Sequence, residues 1–217
     1  MILINATIHL SDNEEIVVNH RNRKNLSLPL SAKKNMTFPD FGVVSSAGSI
    51  TFQDTIINDV YIVENYAKQG RLVEGLDVEV FVVNTLIKKT QKIGKYITGK
   101  WDYNKETHTV KVSIGDNLTK WQEINVPAYN FDAREGTKNF SVIYKYLHSI
   151  TTQAGFDMLS YEELTQETRF AIERIICKYP YLLTDNLWAS WGKLCQVCLL
   201  NIYPNLDGRI ECRFTGG

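Results

Sequence analysis

Hydrophobic and polar positions change rhythm near residue 127. Before it, short runs of β character dominate: Ile2 to Leu10, Glu15 to Asn19, Ser49 to Gln53, Asp77 to Asn84, Lys95 to Tyr103 and Thr107 to Gly115. In the last of these, Val110, Val112 and Ile114 alternate with Thr109, Lys111 and Ser113. Successive side chains of a strand point to opposite faces, so this alternation predicts a half-buried strand. The polar break at Asn104-Lys105-Glu106 predicts a hairpin over residues 95–115. Glu64 to Leu72 can form one or two helical turns, closed by Gly70 or Gly75. Many short strands separated by turn residues point to a small barrel or sandwich.

From Pro127 onward the spacing becomes helical. Phe140, Ile143, Tyr144 and Leu147 recur on one helix face. Ser160-Tyr161-Glu162-Glu163 has the form of a capping box and predicts a helix running to about Lys178, with Leu164, Phe170 or Ala171, Ile175 and Cys177 as its apolar stripe. Pro180 ends it, and Thr184 or Asp185 can cap a further helix through Leu200. Leu199 to Phe214 reads as a strand, a turn at Asn205-Leu206-Asp207-Gly208 and a second strand. The predicted class is therefore α+β: a small β-barrel-like domain over residues 1–126, then a helical region with a terminal β-hairpin over residues 127–217. Two strands alone are marginal in water and need a sheet to join. They either pair back onto the first region or begin a second barrel in a longer protein; the abrupt Thr215-Gly216-Gly217 end favours the second expectation.

Composition narrows the class without naming a chemistry. With 217 residues and 44% hydrophobic positions the chain can bury a core unaided, which excludes collagen-like, disordered and disulfide-scaffold classes. No apolar run approaches the roughly 20 residues a membrane-spanning helix needs. The start lacks the basic and apolar regions of a secretory signal. The cysteines (Cys177, Cys195, Cys198 and Cys212) all fall late in the chain, a distribution that suits synthesis in a reducing cytoplasm better than a disulfide framework.

Charge balances at 24 basic against 24 acidic side chains, which disfavours a general polyanion binder. The balance hides blocks. Residues 16–39 carry Arg21, Arg23, Lys24, Lys33 and Lys34 without an acid, and residues 81–101 carry Lys88, Lys89, Lys92, Lys95 and Lys100 without one. Between them lie Asp54, Asp59, Glu64, Glu74, Asp77 and Glu79 against only Lys68 and Arg71. Blocks of opposite sign suit contacts between charge-matched copies. The candidate subunit-interface residues are accordingly Arg21, Arg23, Lys24, Lys88, Lys89, Lys92, Asp54, Asp59, Glu74 and Glu79.

Candidate chemistry is sparse. Cys195 and Cys198, with Cys177 and Cys212, loosely resemble a four-thiolate zinc set. However, Trp188, Trp191, Cys195 and Cys198 share one helical face, and buried cysteine behaves as a small hydrophobe, so core packing is the expectation. An enzyme using Cys195 or Cys198 with a histidine is a weaker reading, since His9, His20, His108 and His148 are scattered. No phosphate loop, nucleophile elbow or zinc-protease motif occurs, and no cofactor or metal is expected. The alternative to an assembly protein is a nucleic-acid-binding barrel. In it the stretch His20 to Asn25 would touch phosphates while Tyr96, Trp101 and Tyr103 stack on bases.

One segment is more specific. Gly94-Lys95-Tyr96-Ile97-Thr98-Gly99-Lys100-Trp101-Asp102-Tyr103, followed by Thr107 to Leu118, resembles a recurring segment of bacteriophage tail hub proteins. In those proteins a strand ending in Trp-x-Tyr turns and returns to an Asp-x-Leu, here Asp116-Asn117-Leu118. Asn186-Leu187-Trp188, the run through Leu199 to Tyr203, and Asp207-Gly208-Arg209-Ile210 are similar to the family's helix, strand, Asp-Gly turn and strand. The resemblance implies a baseplate hub or tail-tip protein of a phage virion. Such a protein is made in the bacterial host cytoplasm and assembles with itself, as a trimer or ring, and with other tail proteins. It also implies two related barrels per chain, whereas this sequence stops where a second would begin. Leu26 to Leu30 and Val43 to Gly48 are then candidate contact loops. A ring needs no catalytic groups, which agrees with the missing motifs.

Overall fold

The computed structural model describes residues 2–10, 13–27, 42–43, 47–131, 140–175, 181–183 and 185–215. In chain order its strands are β1 (Ile2–His9), β2 (Glu15–Val18), β3 (Arg23–Ser27), β4 (Gly42–Val43), β5 (Ala47–Gln53), β6 (Ile56–Ile57), β7 (Val60–Tyr61), β8 (Asp77–Asn84), β9 (Lys89–Asn104), β10 (Thr109–Gly115), β11 (Tyr129–Phe131), β12 (Tyr181–Leu183), β13 (Leu200–Pro204) and β14 (Ile210–Phe214). The helices are α1 (Ile62–Lys68), α2 (Ser141–Gln153), α3 (Gln166–Glu173) and α4 (Leu187–Cys198). The protein is mixed α+β, and its contacts gather into two compact units. The first holds the described residues up to 27 and from 47 to 117; the second holds β4 and the described residues from 118 onward.

The first unit is a seven-stranded antiparallel sheet in the order β2-β1-β8-β9-β10-β5-β3. Its period-two pattern turns Ala6, Ile8, Ile16, Val18, Ile50, Phe52, Val78, Val80, Val110, Val112 and Ile114 into one buried cluster. The two edges, β2 and β3, are consecutive in the chain and joined by a turn in which Arg23 N donates to Asn19 O. No ladder pairs these edges among the described residues, so the barrel-like expectation reduces to a large antiparallel sheet. A side chain crosses instead: Arg23 Nη1 donates to Ile4 O at 2.6 Å.

Strand β9 shapes this unit. Its first half pairs with β8 and its second with β10, with register shifts in each ladder. Gly94 and Gly99 sit at these shifts. A Cβ at Gly94 would stand 2.6 Å from the Tyr96 ring, and one at Gly99 would stand 2.7 Å from Ser113 Oγ. Glycine is what permits the bulged strand to bend under those side chains. The string Gly94 to Tyr103 thus belongs to a 16-residue strand whose start, Lys89 to Gly94, lies outside the predicted run Lys95 to Tyr103.

The second unit is built on aromatics. Trp121 stacks on Trp191 at 6.1 Å, Tyr144 meets Trp191 edge-on at 5.1 Å, and Phe156 packs edge-on to Trp121 at 5.9 Å. Two of the buried polar tips are tied off: Trp191 Nε1 donates to Thr151 Oγ1 at 3.0 Å and Tyr144 Oη donates to Leu159 O at 2.9 Å, while Trp121 Nε1 is buried without a partner among the described residues. Helix α2 buries Ile143, Tyr144, Leu147 and Thr151, the face expected from its spacing. The capping box at Ser160 is present, yet it closes only a three-residue turn at Tyr161–Glu163. Leu164 then goes extended to reach the core, and Thr165 caps α3 by accepting from Thr168 N. The predicted long helix is therefore two pieces, with Phe170 exposed and Ala171 buried; its expected end at residues 176–178 lies outside the described residues. Helix α4 is capped by Asn186, whose Oδ1 accepts from Ala189 N at 2.9 Å, and not by Asp185; Thr184 lies outside the described residues. The terminal hairpin β13–β14 finds its third strand in β4, parallel to β13.

Candidate assembly surface

Two hairpin turns close the ends of β9. At one end Asn84 Oδ1 accepts from Leu86 N (3.1 Å) and Ile87 N (3.4 Å), and Lys88 is left-handed at φ 49°. At the other Asn104 Oδ1 accepts from Glu106 N (2.9 Å) and Thr107 N (3.0 Å), and His108 is left-handed at φ 47°. Asparagine is suited to such turns because its carboxamide substitutes for a backbone acceptor. Beside the second turn hangs the small β6–β7 hairpin. Its own turn, Asn58-Asp59, has both residues at positive φ, and Tyr61 stacks on His108 at 3.6 Å.

The candidate interface residues fall into three groups. Arg21, Lys88, Lys89, Asp59 and Glu74 are exposed, and none has an ion pair among the described residues. Arg23, Lys24, Lys92 and Glu79 are engaged within the first unit. Lys24 Nζ donates to Thr109 Oγ1 at 2.9 Å, and Lys92 pairs with Glu79 at 3.4 Å. His9 also lies 3.6 Å from Glu79, and Lys95 pairs with Asp77 at 2.9 Å, so the β8 acids and β9 lysines largely answer one another across the hairpin. Asp54 stands apart. It is 5% exposed, and its two carboxylate oxygens accept from Val63 N (2.9 Å) and Glu64 N (3.0 Å), capping α1 from outside the helix. That placement leaves it no surface to offer a neighbour.

The residues considered for other chemistry are mostly packed. Trp101 and Tyr103 lie against the core of the first unit; Trp101 Nε1 donates to Val73 O and the Tyr103 hydroxyl is hydrogen-bonded to His108 Nδ1 at 3.0 Å. Burial, with the charges of Asp54 and Glu64 behind it, raises the Tyr103 hydroxyl well above its ordinary range. Tyr96 covers Gly94. Cys195, Cys198 and Cys212 are free, buried thiols in the second core, as the shared helix face predicts for the first two. Burial pushes Cys198 up to about 12 and raises the other two as well, so none is a ready nucleophile. Cys177 lies outside the described residues. His148 stacks on Tyr144 and donates to Met158 O. No group of His, Cys, Asp and Glu among the described residues is arranged to hold a metal ion, and no described helix is long and apolar enough to cross a membrane.

Exposed aliphatics are the surface feature that charge-based reading missed. Leu86 is 82% exposed and Ile87 66%, at the tip of the β8–β9 turn. Ile56 and Ile57 are each 54% exposed and Val60 45%, on the β6–β7 hairpin. The available signal was Leu86-Ile87 lying between Asn84 and two lysines, an apolar pair where a turn ordinarily carries polar residues.

No protein-family model and no curated protein sequence matches the chain. Solved structures do. The fold is similar to that of the 43 kDa tail protein of prophage MuSo2 from Shewanella oneidensis, with a TM-score of 0.58 at 8% identity, over 98% of this chain and 53% of that one. It is also similar to a tail protein from Neisseria meningitidis MC58, with a TM-score of 0.51 at 11% identity, over 96% of this chain and 50% of that one. The chain spans about half the length of each. At such identities the likeness is one of fold, and it takes in nearly the whole chain.

Proposed function

We propose that the chain is a structural component of a phage tail, a hub or tail-tip subunit that assembles into a ring joining the tail tube to the distal tip. The observation that carries this reading is the fold likeness to two tail proteins over nearly all of the chain. The surface chemistry is consistent with it. The described thiols are buried core groups, Trp101 and Tyr103 are packed and hydrogen-bonded, and Tyr96 packs against the core and over Gly94. What remains at the surface is exposed charge and exposed aliphatic turns, the materials of a protein contact. The role is assembly rather than catalysis, and the protein is placed in the virion after synthesis in the host cytoplasm.

The test is immunogold electron microscopy of particles purified from the producing bacterium, with an antibody against the full chain. Labelling confined to one end of the tail is expected. Particles with tails and no label would overturn the reading, as would label over the capsid alone.

A further inference from the structure

The Leu86-Ile87 turn and the β6–β7 hairpin lie at opposite ends of the first unit's sheet. The register fixes this: β9 begins beside the first turn at Lys89 and ends at Asn104 beside Thr109, whose β5 partner Gln53 leads directly into the β6–β7 hairpin. Tyr61 on His108 holds that hairpin at the Asn104 end. Both ends carry solvent-facing aliphatics that their turns do not require. The Asn104 turn has the same backbone as the Asn84 turn and makes it with Lys105, Glu106 and Thr107.

Charges at the two ends differ: one carries lysines alone, the other carries carboxylates among its cations. Around Leu86 and Ile87 stand Lys88 and Lys89, with no acid closer in sequence than Glu79, which already faces Lys92 and His9. Around Ile56, Ile57 and Val60 stand Asp59 and Glu106, with Lys105 and Lys24, whose Nζ donates to Thr109 Oγ1, as cations without an ion pair among the described residues, and Glu64 paired to Lys68 at 2.9 Å. Two tips of like kind would bring lysine against lysine. A tip of one copy set on the hairpin of the next brings aliphatic to aliphatic and lysine to carboxylate.

We propose that the Leu86-Ile87 turn of one copy seats on the Ile56-Ile57-Val60 face of a second copy, a head-to-tail contact between the two ends of the sheet. Because the two patches differ, each copy keeps a free one after joining, and repetition closes a ring or extends a stack. The contact is small, so a single one is weak and closure supplies the stability. This rests on the assembly reading above and names the surfaces it uses.

The test combines sedimentation with site-directed cross-linking of the full chain. Leu86→Cys and Ile57→Cys are made singly and together, and each is treated with a mild oxidant alongside the unaltered protein. The expected result is a ladder of cross-linked multimers for the double variant, one heterodimer when the single variants are mixed, and neither for a single variant alone. In sedimentation, Lys88→Glu with Lys89→Glu weakens self-association at least tenfold, and adding Asp59→Lys with Glu106→Lys to the same chain restores it. Dimers from Leu86→Cys alone mean that tip meets tip and overturn the proposal. Multimers in sedimentation that never cross-link through these positions also overturn it, while leaving ring assembly standing. A chain that stays monomeric at every concentration removes both.

Discussion

The two turns that close β9 share one backbone and have different fates. In each, an asparagine side chain accepts two amide protons and a later residue turns left-handed. At the Asn104 end that left-handed residue, His108, is held from three sides. Its ring lies on Tyr61, its Nδ1 meets the Tyr103 hydroxyl, and its carbonyl accepts from Asp54 N and from Gln53 Nε2. At the Asn84 end Lys88 is exposed, and the two residues before it point aliphatic side chains at solvent. The lesson is a division of labour. Local sequence is enough to choose the turn, but neighbours in the fold decide whether the turn is a fixed part of the structure or a surface left for something else.

The largest expected effect removes the anchoring at the Asn104 end. Asp54 is buried, and its carboxylate is the cap of α1, which leads out of the β6–β7 hairpin. Asp54→Ala leaves the buried amide of Val63 without an acceptor and discards a favourable charge at a helix start, for a loss of about 2–4 kcal/mol. Asp54→Asn keeps an acceptor and recovers roughly half of that. Urea unfolding measures both. If Asp54→Ala unfolds within about 0.5 kcal/mol of the parent, the Asn104 end is no better anchored than the other and the contrast collapses.

A smaller effect tests the contrast by sign. A non-glycine residue in the left-handed region carries about 1–2 kcal/mol of strain, part of which glycine returns as extra chain entropy in the unfolded state. Lys88→Gly therefore stabilises by up to about 1 kcal/mol, since nothing packed is lost with the lysine. His108→Gly relieves the same strain but forfeits the Tyr61 stack and the Tyr103 hydrogen bond. The net result is a loss of about 1 kcal/mol. Denaturation midpoints moving the same way in both variants would remove the distinction between the two turns.

These contrasts also mark what could be read from the chain beforehand. The half-buried strands announced themselves because Val110, Val112 and Ile114 face a core while Thr109, Lys111 and Ser113 do not. Lys89 to Gly94 did not, because its first three residues are exposed on both faces and so show no alternation. The face of Trp191, Cys195 and Cys198 was legible as packing because helix spacing and residue type agreed. The candidate assembly surface was less legible. Charge blocks drew attention to Asp54, Glu79 and Lys92, yet Asp54 caps a helix that starts eight residues later and the other two face each other. Opposite charges close in sequence can meet inside one hairpin as readily as between copies, and only the register distinguishes the cases. Competing caps were ambiguous for a similar reason. Ser160, Thr165, Asp185 and Asn186 are all good N-caps, and the choice fell to whichever let Leu164 and Leu187 reach the core.

The smallest expected effect concerns a third asparagine turn, in the second unit, and it is read through pH. Asn205 Oδ1 accepts from Asp207 N and Arg209 N, and Gly208 supplies the positive φ without strain. This turn is tied down by ions where the Asn104 turn is tied down by a ring. Arg209 reaches both carboxylate oxygens of Glu163 at 2.8 and 2.9 Å and Asp157 at 3.1 Å. The Ser160 backbone N–H and then Arg209 hold the Glu163 carboxyl down to about 2, against an ordinary 4.5. In the unfolded chain Glu163 takes up its proton near 4.5, and in the folded chain only near 2. Its contribution to stability is accordingly complete above about pH 4.5, declines through the interval below, and is gone once the pH has fallen through about 2. Because the pair is solvent-exposed the effect is small and screened by salt. Glu163→Gln should leave the neutral-pH midpoint slightly lower and flatten the decline between pH 4.5 and 2, with the difference shrinking in high salt. Parallel acid limbs for the parent and Glu163→Gln would mean that the ions do not hold this turn, and that its backbone and Gly208 suffice.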